Sequence, residues 1–153
     1  MPPNSLDVTS YTDKDIPLYR QEIRTAKPNL RPRPGRPLSA GEKDALSPYI
    51  AAIDLESAVL HEGKVPFYLL RRYQAIARGN HIYVRAGAFD ATRASGLALL
   101  GHELVHVGQY RGGMTWLHYL WSVRAGYAKS SYERAAVAIQ ARIFADLSKV
   151  SLN

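Results

Sequence analysis

Residues 102–106 read His-Glu-Leu-Val-His, and no other segment constrains the fold as tightly. Two histidines four positions apart reach a common point when the backbone between them is helical, because i and i+4 share one face of an α-helix. On such a helix His102 and His106 present two imidazoles to a single position, which suits a zinc ion. Glu103 projects about 100° round from His102, at ~3.6 residues per turn. It stands beside the metal, where a base that takes a proton from metal-bound water belongs. Leu97, Leu100, Leu104 and Val107 supply an apolar stripe of helical period on the opposite side.

A hydrolytic zinc usually takes three protein ligands and keeps a fourth position for water. The chain has no cysteine, so the third ligand must be His, Asp or Glu. The downstream candidates are His118, Glu133 and Asp146. Glu133 falls in Ser130-Ser131-Tyr132-Glu133-Arg134, where either serine can cap a helix running to about Ser148. Ala135, Ala136, Ala138 and Ala141 would let that helix approach the first one closely. A first-turn acid favoured by the helix dipole looks the same in sequence, so spacing alone leaves the role of Glu133 open.

The run Leu99-Leu100-Gly101-His102-Glu103-Leu104-Val105-His106-Val107-Gly108-Gln109, with Tyr132-Glu133-Arg134 and Ala136, resembles the extracellular contractile injection system core domain. More broadly it is similar to the minimal gluzincin peptidases. The likeness begins near Leu38 and runs close to the end of the chain. It implies Zn2+ held by His102, His106 and Glu133, with Glu103 as catalytic base in a zinc-dependent metallopeptidase. It also keeps a second reading, a zinc-stabilised, non-catalytic binding or packaging module associated with a contractile injection particle or its cargo. Two positions depart from the pattern. Ala135 stands where such sequences often carry a second Glu, and Val137 where larger gluzincins often place an acid. The groups that orient the imidazoles must then come from elsewhere.

A length of 153 residues suits one domain with a tail, and 46% apolar residues is ordinary for a globular chain. Met1-Pro2-Pro3-Asn4 does not open a secretory signal, and no apolar run approaches a membrane span. The chain is expected in the cytoplasm, or exported without a cleaved signal peptide. Net charge is +7, much of it from Arg20, Arg24, Lys27, Arg31, Arg33 and Arg36. No basic stripe interleaved with aromatics and no Cys/His finger accompanies it, so nucleic-acid binding has little support. The expected partner is a polypeptide substrate or another protein.

Residues 1–37 hold seven of the nine prolines and are expected to form an extended Pro/Arg-rich arm, with residues 38–153 as the metallopeptidase-like domain. Ser39-Ala40-Gly41-Glu42 is a capping-box pattern that opens a helix. Pro48 can restart a short helix to about Ile53, and Leu55–His61 reads as a strand. Tyr73–Ala77 and His81–Arg85 flank Gly79-Asn80 as a hairpin, with His81–Arg85 taken as the sheet edge open to an extended peptide. Asp90 or Ser95 caps the motif helix, which ends near Gly112-Gly113. A short aromatic helix spans Thr115 to about Arg124. The fold class predicted is α+β: a small antiparallel sheet packed on the motif helix and a C-terminal glutamate-bearing helix.

His61 and His81 are expected to be structural or exposed. His118, Tyr127 and Tyr132 are the candidate donors to a developing oxyanion. Gln109, one turn past His106, is placed to support that ring. Gly101 and Gly108 each weaken a helix by up to ~1 kcal/mol relative to Ala, which suggests close backbone packing there.

Overall fold

Ser39 opens the first helix as its pattern predicts. Its hydroxyl accepts from the Glu42 N–H at 3.2 Å, and the Glu42 carboxylate accepts from the Ser39 N–H at 2.8 Å. In the computed structural model, which describes residues 34–67, 69, 73–124 and 130–150, this helix is α1 (Ala40–Leu46). It follows β1 (Arg36–Pro37). After it come α2 (Ala52–Ser57), β2 (Val59–Glu62), β3 (Ala75–Arg78), β4 (His81–Val84), α3 (Ala94–Arg111), α4 (Trp116–Val123) and α5 (Ser131–Val150). Residues 1–33 of the expected arm lie outside the described residues, and its last two form β1. Arg36 ties β1 to its neighbours, reaching Glu42 at 2.7 Å and Glu62 at 3.1 Å.

The sheet order is β1-β2-β4-β3. β3 and β4 form the antiparallel hairpin predicted around Gly79-Asn80, where Gly79 takes a φ of 61°. β1 and β2 are also antiparallel. β2 and β4 run parallel, from Val59 opposite His81 to Glu62 opposite Val84. The fold is α+β, but its sheet is mixed, which corrects the expected all-antiparallel arrangement. The chain leaves β2, makes β3 on the far side, and returns with β4 in between. β4 is therefore an inner strand and not the predicted edge; β1 and β3 are the edges.

Two local predictions also change. Leu55–His61 is not one strand: its start belongs to α2 and its end to β2. Asp54 is buried on α2 and accepts from the Arg111 guanidinium of α3 at 2.7 and 3.1 Å, which ties α2 to α3. Residues 47–50 form turns, so no helix restarts at Pro48. The cap of α3 is the backbone of Arg93, without a side-chain bond. Asp90 instead accepts from the Thr92 N–H and hydroxyl at 2.9 and 2.6 Å.

The core lies between α3 and one face of the sheet. Leu60, Ile82 and Val84 share one buried cluster with Leu97, Leu100, Leu104 and Val107, and Leu46, Leu55 and Ile143 belong to it as well. All four residues of the predicted stripe are buried. α3 packs most extensively against α5, and Gly101 permits the approach. A Cβ at that position would stand 2.2 Å from Ile143 Cδ1. At Gly108 a Cβ would stand 2.9 Å from Asp54 Oδ2. Both glycines therefore sit at close contacts, as their helical positions suggest. No helix among the described residues is long and apolar enough to cross a membrane.

Candidate metal centre

The packing of α3 on α5 brings together three side chains that are far apart in sequence. His102 Nε2 lies 3.2 Å from Glu133 Oε2, and His106 Nε2 lies 3.2 Å from Glu133 Oε1. The donor atoms of the three residues all fall within 4.8 Å of one another, and no other such group of three occurs among the described residues. Tetrahedral zinc with bonds of ~2.0–2.1 Å spaces its donors about 3.3 Å apart. The two Nε2–oxygen separations of 3.2 Å are close to that spacing.

Two further observations support the fit. Glu133 Oε2 is buried and accepts no hydrogen bond among the described residues. A buried carboxylate oxygen left this way is costly unless a cation satisfies it. The imidazoles are also held by their far sides. His102 Nδ1 lies 2.7 Å from Gln140 Oε1, and His106 Nδ1 lies 2.7 Å from Gln109 Oε1. The Gln109 amide nitrogen donates to the Tyr132 carbonyl at 3.0 Å, which leaves its oxygen as the acceptor for His106. With Nδ1 of each ring engaged in this way, Nε2 is the atom turned toward Glu133 and placed to meet a metal. His102, His106 and Glu133 could therefore hold a metal ion.

The charges follow from burial and from this pairing. Burial works against a charged His106, but Glu133 and Glu103 outweigh it and push the imidazole up to about 9. Burial also opposes charge on Glu133. The His102 and His106 rings overcome it and hold the carboxyl well below the usual range. Glu103 goes the other way. Burial pushes its carboxyl up, partly offset by His102, His106 and hydrogen bonding from the Ala77 backbone on β3. His102, Glu103 and His106 are 5–6% exposed and Glu133 is 1% exposed.

Some predicted residues do not join the cluster. His118 is exposed on α4. Asp146 accepts from the Tyr49 hydroxyl at 2.9 Å and lies 3.9 Å from Arg142. Tyr132 contributes its carbonyl to Gln109, and Tyr127 lies outside the described residues. His61 and His81 pair with each other at 2.9 Å across the β2–β4 ladder. Gln109 supports His106 as its position suggests.

Two site residues escape the sequence reading. Gln140 lies seven positions after Glu133, so helical period places both on one face of α5, a signal that was available. Tyr119 lies in the aromatic run of α4. Its hydroxyl donates to Glu133 Oε1 at 2.7 Å, and its ring meets His106 edge-on at 5.8 Å. Thr115 caps this helix by accepting from the His118 N–H at 3.2 Å. The aromatics of α4 do not all pack inward, because Trp121 is 73% exposed.

Residues 44–114 match the family model of the eCIS core domain. The matched span contains His102, Glu103 and His106 and ends before Tyr119 and Glu133. No curated protein and no solved structure matches the chain.

Proposed function

We propose that this chain, which carries an eCIS core domain over residues 44–114, is a zinc metallopeptidase that acts on a polypeptide of, or carried by, a contractile injection particle. The observation that carries the reading is the convergence of His102, His106 and Glu133 with a buried carboxylate, Glu103, next to them in the chain. In this reading His102, His106 and Glu133 hold the ion through two Nε2 atoms and one carboxylate. A zinc ion bound there supplies Lewis acidity, which lowers the pKa of water toward ~7 and polarises a carbonyl.

The chain's own residues then do the following. Gln140 and Gln109 keep the imidazoles turned toward the ion. Glu103, its proton affinity raised by burial, takes a proton from the water that attacks the peptide carbonyl. It returns that proton to the amine nitrogen as the C–N bond breaks. A structural zinc has no use for a carboxylate at 103, so the presence of Glu103 favours turnover over a merely stabilising ion. β3 is an edge strand whose backbone at Ala77 reaches Glu103, and an extended substrate would lie beside it.

One observation favours a second reading, a zinc-stabilised packaging module without turnover. All four central side chains are at most 6% exposed, so a peptide must displace part of the structure that covers them, such as α4, to reach them. A peptide-library cleavage assay separates the two. Wild type should cleave, chelator should abolish cleavage, and Glu103→Gln should lower turnover by ~10²–10⁴-fold with the metal retained. Equal cleavage by wild type and Glu103→Gln would overturn the assigned base. No cleavage by the zinc-loaded chain would leave the packaging module as the better account.

A further inference from the structure

The two oxygens of Glu133 have unequal surroundings. Oε1 accepts the Tyr119 hydroxyl at 2.7 Å and faces His106 Nε2. Oε2 faces His102 Nε2 and accepts no hydrogen bond among the described residues. A hydroxyl-to-carboxylate contact of this length is a strong, charge-assisted bond. It engages one oxygen and leaves the other with only the His102 ring facing it.

Tyr119 is itself held firmly. Its ring stacks on Trp116 with centroids 5.5 Å apart, and the Arg78 guanidinium of β3 lies 4.3 Å over the Trp116 ring. The other edge of Tyr119 meets His106. A line of contacts therefore runs from the edge strand through α4 to two of the three metal-ligating side chains.

From this geometry we infer that Tyr119 is a positioning residue for the metal: its hydroxyl occupies Oε1 of Glu133, assigns Oε2 to the ion, and couples metal retention to α4. The inference rests on the metal-site reading above. It does not depend on peptidase activity. Without the hydroxyl, the Glu133 carboxylate can turn about its own axis or offer both oxygens at once. Rotation loosens the carboxylate's hold on the ion, and engagement of both oxygens alters the coordination number. Groups that orient metal ligands in this way typically contribute 10–100-fold in affinity.

Tyr119→Phe is the informative variant, because it keeps the ring against His106 and Trp116 and removes only the donor. The full-length chain and the variant are titrated with Zn2+ against a competing chelator. Each is also loaded with Co2+ for visible absorption, and folding is checked by circular dichroism. The expected result is a zinc affinity ~10–100-fold lower in Tyr119→Phe, with a changed Co2+ band shape or intensity and an unchanged far-UV spectrum. Equal affinity and equal Co2+ spectra in the two proteins would overturn the role of Tyr119 while leaving the metal site standing. A wild-type chain that binds neither ion would overturn the metal site and this role together.

Discussion

Gln109 holds His106 by its far nitrogen, with 2.7 Å between the amide Oε1 and Nδ1, and is itself fixed through the Tyr132 carbonyl at the start of α5. One amide thus sets the direction of a ring in the candidate metal centre and links the two helices that form it. Gln109→Ala should lower zinc affinity by about 10–100-fold, read by chelator competition, with little loss of helix content. An unchanged affinity would show that the packing of α3 alone orients the ring.

Metal binding should release a proton. His106 is pushed up to about 9, so at pH 7 its Nε2 carries a proton that the ion must displace. Titration calorimetry in buffers of different ionisation enthalpy should report about one proton released near neutral pH, declining as pH rises through about 9. The sign for the chelator-treated protein follows from the same group. Its folded value lies above the unfolded ~6.5, so its stabilisation is complete below that pH and is lost as pH rises toward about 9. The loss should be roughly 3 kcal/mol at most. Thermal stability that rises over this interval would contradict the pairing with Glu133.

Gly101 tests the helix crossing that delivers Glu133. A Cβ there would press on Ile143 Cδ1 at 2.2 Å, at the end of a movable side chain. Gly101→Ala should therefore destabilise by about 1–2 kcal/mol, the ~1–3 kcal/mol of overpacking less part of the ~1 kcal/mol helix gain of Ala over Gly. Adding Ile143→Val, which removes Cδ1, should restore part of the loss in denaturant melts. A single variant more stable than wild type would mean that the crossing is looser than described.

What was legible in the sequence divides along physical lines. The His102/His106 pair, the Ser39 capping box and the Thr115-led helix are local patterns, and the structure contains all three. The approach of Glu133 was expected from the small residues of α5 and from the family resemblance. Sheet order was not legible, because nothing in the β2 or β4 sequence states that β4 inserts beside β2 in parallel. Nor was the full extent of α2, whose Asp54 is buried against Arg111, 57 residues later in the chain. Tyr119 was hidden among equivalent aromatics, since which of them faces inward depends on how α4 lies on the site.

The central claim is that His102, His106 and Glu133 together hold one ion. Its most direct test is metal content, measured by elemental analysis on the full-length chain after equilibration with zinc and removal of the excess. The account predicts about one zinc per chain in wild type, none in His102→Ala, and strongly reduced content in Glu133→Ala. A wild type without zinc, or a zinc content unchanged in both variants, would contradict it.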